Sequence, residues 1–172
     1  MKNIYYIFLA IIILLSCKKK TEEVKPPYVF PTPQMKYAGY AGCGDSTAFG
    51  IAGISPNGGL ELIQLRGSKE YFQIKSYSFN TISIDTLDTL KSHLKIVVYS
   101  KYFSPCNDAF DPAGEPTHET WTAKSGLIML KDSIDINNYY FIHTKLKNVV
   151  FANGNKNIKL DSLNFVTAIY IW

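Results

Sequence analysis

Short stretches rich in apolar and aromatic residues and bounded by turn signals recur along the chain and predict β-strands. The clearest is residues 163–172, where both alternating faces are largely apolar, a pattern typical of a strand that is central in a sheet or covered by another layer. The sequence Ala152-Asn153-Gly154-Asn155 shortly before it is a strong turn signal. Further strands are predicted over residues 47–54, 71–79, 94–103, 126–131, 139–143 and 146–151.

Helical periodicity is weak. Residues 60–65 place Leu60 and Ile63 on one side, and residues 85–93 suit a short helical turn capped by Asp85. Neither segment reaches the roughly 10 to 12 residues of a well-defined helix. The sequence therefore predicts an all-β domain with at most one short helix, either an antiparallel β-sandwich or a small barrel.

The N-terminus carries one apolar run, residues 4–15, after a single positive charge at Lys2. The run is shorter than the roughly 20 residues that span a bilayer and is typical of a secretion signal. It ends Leu14-Leu15-Ser16-Cys17, which resembles the lipobox of bacterial lipoproteins. The resemblance implies cleavage after Ser16 and acylation of Cys17, which would hold the mature protein on a membrane. The alternative is an uncleaved anchor in which Cys17 is incidental.

The segment after Cys17 is charged and then rich in proline, which predicts a disordered tether. The predicted organisation is a signal peptide (1–16), a lipidated cysteine with its tether (17–35) and one β-rich domain (36–172). The lysine run followed by acidic residues at 18–23 resembles the export tags of Bacteroidota-type surface lipoproteins. This resemblance implies a lipid-anchored outer-membrane protein, facing either the periplasm or the cell surface.

The formal net charge of +4 is concentrated near the N-terminus, where Lys2 and the tether lysines lie. Without that region the charges of the domain nearly cancel, and its basic residues are scattered along the sequence. The sequence therefore predicts no nucleic-acid partner.

Apart from the predicted lipidated Cys17, two cysteines remain after the predicted cleavage, Cys43 and Cys106. An even pair without Cys-x-x-Cys spacing, in an exported protein, predicts a disulfide rather than a metal site. The bond would close a loop of about 60 residues and contribute about 4 kcal/mol in the chain-entropy model. Two separate thiols are the alternative.

No motif indicates catalysis, a metal or a cofactor, so a non-enzymatic protein is expected. His93, His118 and His143 lack metal-ligand spacing, and no Gly-x-Ser-x-Gly elbow is present. The loop around Asp45 and Ser46 is interpreted mainly as a turn that brings Cys43 to Cys106. Acidic side chains in loops are interpreted mainly as solvated groups.

Residues 104–122 contain three prolines and no regular period, which predicts a long ordered loop and the contact surface of the domain. Aromatic faces beside carboxylates suit a sugar ring and its hydroxyls. The alternative is that the two aromatics cover the end of the domain. The predicted ligand-binding residues are Asp108, Phe110, Asp111, Glu115, Glu119 and Trp121.

The strand pattern of residues 126–130, 146–151 and the terminal strand resembles small all-β lipoproteins of unknown function from Bacteroidota-type bacteria. The resemblance concerns location and fold class. The leading hypothesis is a non-enzymatic module that binds a glycan, a peptide or a protein. A small barrel that carries an apolar ligand and a hydrolase that uses loop carboxylates or Ser46 are the alternatives.

Overall fold

A computed structural model describes residues 27–44, 48–86, 93–102, 116–137 and 139–169. Nine strands and one 3-10 helix, η1, lie within these residues. Their bounds are β1 (Gly39–Gly44), β2 (Ala48–Ile54), β3 (Glu61–Ser68), β4 (Lys75–Ser76), β5 (Asn80–Ser83), η1 (Ile84–Thr86), β6 (Leu94–Tyr99), β7 (His118–Ile134), β8 (Tyr140–Asn153) and β9 (Lys156–Ile169).

The strands form a single sheet in the order β1-β2-β3-β6-β7-β8-β9, and neighbours along this path are antiparallel. The short strands β4 and β5 pair with the C-terminal half of β7. They lie on the same edge of β7 as β6, which pairs with the N-terminal part of that strand. The sheet curls into a half-barrel. The prediction of an all-β antiparallel fold is therefore confirmed.

The curl originates in the long strands β7 and β8. Their pairing register shifts between Ala123 and Leu127, where Gly126 adopts a φ of 120° and Asn148 on the facing strand a φ of 51°. Such bulges bend a strand and increase its twist. The two ends of the sheet consequently approach each other, and Tyr40 of β1 stacks on Phe165 of β9 with ring centroids 4.5 Å apart.

The concave face of the sheet is filled by large side chains. Phe72, from the turn after β3, covers Gly67 and contacts Phe49, and η1 contributes Ile84 to the same core. The largest fully buried members of this core are Trp121, Phe72, Phe151, Ile51, Ile63, Leu65, Ile84, Leu94, Ile96 and Ile128. Aromatic and branched aliphatic side chains thus occupy the interior in which an apolar ligand would have to lie.

Several predicted elements have different bounds. Residues 60–65 belong mainly to strand β3, so the helical interpretation is wrong there. The predicted strand over 71–79 is wrong except at Lys75 and Ser76, and the predicted strands 139–143 and 146–151 are one continuous strand, β8. Strand β1 was not predicted. The predicted turn at Asn153 and Gly154 joins β8 to β9.

The described part of the tether is attached to the domain. Pro33 is buried, and the Glu61 carboxylate accepts hydrogen bonds from the backbone N–H groups of Gln34 and Met35, at 2.7 and 2.8 Å. The hydroxyl of Tyr37 donates to the same carboxylate at 2.9 Å. Residues 33–35, which the sequence assigns to a disordered tether, are therefore part of the folded domain.

Candidate functional site

The structure describes two of the six predicted ligand-binding residues, Glu119 and Trp121, which lie in β7. The other four, together with Cys17 and Cys106, are outside the described residues: Asp108, Phe110, Asp111 and Glu115. The C-terminal end of the predicted loop is wrong, because residues 118–122 form the start of β7 and pair with β6.

Trp121 belongs to the core. Its exposed fraction is 1%, and it lies directly opposite Ile96 of β6 on the concave face. Glu119 lies two positions before Trp121 in β7 and so shares its face. It is half-buried and accepts a hydrogen bond from the Asn153 side-chain amide. Trp121 therefore offers no face to a ligand, and its assignment to a binding surface is corrected to packing.

Cys43 lies in β1 beside an open groove of about 410 Å³. Its thiol donates a long hydrogen bond to the Gly50 carbonyl at 3.6 Å, and the Arg66 side chain lies on the other side of Gly50. Glycine at position 50 leaves the space between the two side chains open. Because Cys106 lies outside the described residues, the bond between Cys43 and Cys106 stays a prediction.

The outer face of β4, β7 and β8 brings together four lysines, and this set is called the basic face. Lys75 of β4 lies directly opposite Lys131 of β7, which in turn lies opposite His143 of β8. Lys131 and Lys145 alternate along their strands with buried side chains, so their own side chains point outwards, and Lys75 and Lys147 are exposed. The basic face consists of Lys75, Lys131, Lys145 and Lys147.

Phe79, in the turn between β4 and β5, lies next to the ammonium groups of two of these lysines. The ammonium of Lys145 lies 4.3 Å from the centroid of the Phe79 ring, and that of Lys131 lies 5.0 Å from it. Both distances are within the range of cation–π attraction. Within the described residues, no lysine of the basic face forms an ion pair. One ring thus attracts two ammonium groups that have no carboxylate partner in the described part of the chain.

A cleft of about 170 Å³ opens beside this ring. Lys145 and Asn164, which are cross-strand partners, line it together with Phe79, His143 and Val166. His143 Nε2 is 2.8 Å from the Ser133 hydroxyl in a hydrogen bond. Burial lowers the pKa of His143, the charge of Lys131 lowers it further, and Asp132 opposes them only in part. The cleft therefore combines positive charge with neutral hydrogen-bonding groups.

The two carboxylates that are buried outside this face, among the described residues, form hydrogen bonds within the protein, although Asp132 Oδ1 has no partner there. Glu61 holds residues 34–37, and burial of the Tyr37 hydroxyl, together with the nearby Glu61 charge, raises the pKa of that hydroxyl far above its usual range. Asp132 accepts hydrogen bonds from Lys69 at 2.5 Å and from the Tyr140 hydroxyl at 3.1 Å. Burial favours a higher pKa for Asp132, but its hydrogen bonds and the Lys69 charge outweigh burial and lower it. Both carboxylates therefore stabilise contacts within the fold.

Among the described residues, no group of three histidine, cysteine or acidic side chains lies close enough together to hold a metal ion. In the same part of the chain, no helix has the length and apolar character needed to cross a membrane.

The sequence did not reveal the basic face, because its lysines come from positions 75, 131, 145 and 147. One signal was available. Lys145 and Lys147 are two positions apart in one strand and therefore lie on the same face. The turn after Ile134 joins β7 to β8, and their pairing places Lys131 opposite His143. Only the register of the β7–β8 hairpin shows that these side chains share a face, and β4 adds Lys75 through a parallel pairing that no local pattern predicts.

Comparison of the chain with known proteins gives no match to a family model, to a curated protein or to a solved structure. The resemblance to small all-β lipoproteins therefore stays an expectation. Function is inferred from the residues of the basic face and from the sequence of the N-terminal segment.

Proposed function

We propose that this protein is an exported, lipid-anchored protein of the outer membrane whose β domain binds a ligand without catalysing a reaction. The observation that carries the binding function is the position of Lys131 and Lys145 over Phe79, beside the cleft. Two ammonium groups that have no carboxylate partner among the described residues but are held beside one ring form a preorganised site, since less side-chain freedom is lost on binding.

The anchoring half of the proposal is supported by the register of Ser16 and Cys17 against the apolar run and by the way the tether joins the domain. From Cys17 to residue 27 there are about ten residues, which reach at most about 35 Å when extended. Glu61 then holds the chain at residues 34–37. A lipid on Cys17 would keep the domain close to the membrane that carries the protein.

Metabolic labelling tests the anchor. Cells that express the full chain and grow with an alkyne-labelled fatty acid should incorporate label into this protein, and Cys17→Ser should abolish the label and leave an uncleaved precursor. Cys43→Ser is the matched control, since it removes a cysteine from the domain, and it should keep the label. Label retained in Cys17→Ser would refute the lipid anchor.

A further inference from the structure

We infer that the ligand of the basic face is an acidic polysaccharide, a sugar chain that bears carboxylate or sulfate groups. The inference rests on the proposed binding function and specifies the ligand of that same face. Three features of the face carry it: unbalanced positive charge, neutral hydrogen-bonding groups beside it, and a cleft too small for a complete ligand.

The positive charge of the basic face favours an anionic ligand. Lys75 and Lys131 are directly opposite each other on neighbouring strands, a placement in which like charges oppose folding. Lys145 and Lys147 extend the positive charge along β8. None of the four has a carboxylate within ion-pair distance among the described residues. An anionic ligand would relieve this repulsion.

The orientation of two ammonium groups is set before binding. Phe79 attracts both Lys131 and Lys145, so both ammonium groups are held beside one ring, and Lys145 also lines the cleft. Ammonium groups in these positions suit an oxyanion such as a carboxylate or a sulfate, because charge-assisted hydrogen bonds are short and strong. The ring itself is half-buried and serves to position the lysines.

The remaining groups of the cleft favour a sugar over a bare anion. Asn164 supplies both a donor and an acceptor, and His143, joined to Ser133, supplies a further polar group. Val166 is 51% exposed and gives the cleft an apolar wall. Hydroxyls on one edge of a pyranose and C–H groups on its face match this alternation of polar and apolar contacts.

The size of the cleft indicates one unit of a chain. Its volume of about 170 Å³ is below the roughly 300 to 1,000 Å³ of pockets that enclose complete small molecules. It opens onto the rest of the basic face, where Lys75 and Lys147 flank it on neighbouring strand positions. A polymer with repeated anionic groups engages the cleft and the flanking lysines together.

The test measures binding of the full mature chain, purified in detergent, to a panel of defined probes by biolayer interferometry. Polygalacturonate supplies carboxylates and dextran sulfate supplies sulfates, whereas unmodified dextran is neutral. A DNA duplex and vesicles that contain phosphatidylglycerol represent other polyanions. We expect at least tenfold tighter binding to an acidic polysaccharide than to dextran, the duplex or the vesicles, and binding that weakens as salt is raised.

Variants locate the binding. Lys131→Gln with Lys145→Gln should weaken binding to the acidic polysaccharide about tenfold, since two charge-assisted contacts are lost. Phe79→Leu keeps an apolar side chain but removes the ring, and should weaken binding about threefold. The control, Lys101→Gln with Lys156→Gln, removes the same charge from two exposed positions away from the face and should change binding less than twofold.

The outcomes separate the two proposals. Binding to dextran that depends on Lys131 and Phe79 would overturn the acidic ligand and keep the binding function. Tighter binding to the duplex or to the vesicles would do the same. An equal loss in the control variant would show that net charge, and not this face, determines binding, and would overturn the inference. Failure to bind any probe would overturn both proposals.

Discussion

Glu61 is a buried carboxylate that meets three donors from one short segment of the chain, residues 34–37. A buried charge is stable only when hydrogen bonds replace the water that it loses. Each donor is therefore necessary, and the segment cannot leave the domain without exposing an apolar surface that includes Met35 and Tyr37. A single side chain thus determines where the tether ends and the domain begins.

Glu61→Gln should destabilise the domain by about 2 to 4 kcal/mol, because the amide N–H₂ would face a buried donor and the charge that strengthens all three bonds is lost. Chemical unfolding monitored by tryptophan fluorescence measures the change. Proteolysis within residues 27–38 should become faster at the same time. Glu70→Gln, at an exposed position, should change the stability by less than about 0.5 kcal/mol. Equal effects of the two variants would contradict the role of Glu61.

His143 should make the stability depend on pH. Because its pKa is lowered in the folded protein, the unfolded chain binds the proton more readily below the ordinary histidine value of about 6.5. The free energy of unfolding should therefore fall as the pH decreases through that value, and His143→Gln should reduce this fall. His118→Gln, at an exposed position at the start of β7, is the matched control. Unfolding curves at pH 8, 7, 6 and 5 give the comparison, and a slope unchanged in His143→Gln would refute the assignment.

The bulge in β7 is the element that bends the sheet. Gly126 combines a φ of 120° with close contact to β8, since an added Cβ would lie 2.7 Å from the Asn148 carbonyl oxygen and 2.7 Å from the Val149 Cα. Gly58, in the turn between β2 and β3, has a φ of 77° but nothing within 4 Å of such a Cβ. Comparing Gly126 with Gly58 therefore separates the effect of backbone strain from the effect of steric contact.

Gly126→Ala should destabilise the domain by about 2 to 4 kcal/mol, because strain and contact both oppose the new side chain. Gly58→Ala should cost only about 1 to 2 kcal/mol, the cost of the left-handed conformation alone. Urea unfolding midpoints provide the measurement. If Gly58→Ala were as destabilising as Gly126→Ala, the contact with β8 would not contribute.

The sequence predicts an element well where its pattern is local. The turn at Asn153 and Gly154 and a strand over residues 163–169 both depend on neighbouring residues, and both were predicted. The expectation that this strand is central or covered on both faces is wrong, because β9 is last in the strand order and Asn164 and Val166 on one face are exposed. Strand β3 was ambiguous because it is apolar on both faces, with Leu62 and Leu65 each nearly inaccessible. Strand β1 contains three glycines and no alternation, so nothing local indicates a strand.

The candidate site was less predictable than the fold. Its residues lie close together only because β7 and β8 pair in one register and β4 adds to the edge of β7. A shift of one residue would move Lys131 to the core face and Asp132 to the outside. The prediction that Trp121 belongs to a surface failed for a related reason, since the partner strand that covers it comes from residues 94–99.

At the scale of the whole molecule, the close approach of β1 to β9 brings the two ends of the sheet together. A Cβ added at Gly42 would lie 2.5 Å from the Ala168 carbonyl oxygen and 2.7 Å from the Thr167 Cγ2. At Gly39, in the same strand, the nearest atom to such a Cβ is the Ile54 Cβ at an ordinary 3.8 Å. Glycine at position 42 therefore permits the two strands to pack.

Gly42→Ala should destabilise the domain by about 1 to 3 kcal/mol, since the added methyl meets backbone that cannot move aside. Hydrogen exchange should increase in β1 before it increases in β7 and β8. Gly39→Ala should leave both the stability and the exchange of β1 nearly unchanged. Faster exchange in Gly39→Ala than in Gly42→Ala would show that β1 is held by its pairing with β2 and not by its packing on β9.

The attachment at Glu61 also has a mechanical consequence. A tensile load applied through the N-terminal segment meets the packing of Phe30 and the buried Pro33, and then the three hydrogen bonds of Glu61, before it passes to the Ala38 N–H and the Gly39 end of β1. Breaking these contacts would release a few residues of slack before any strand is pulled. We therefore expect the Glu61 contacts to act as sacrificial bonds that open under a sudden pull and re-form when the pull ends, which would leave the sheet and its basic face intact under shear.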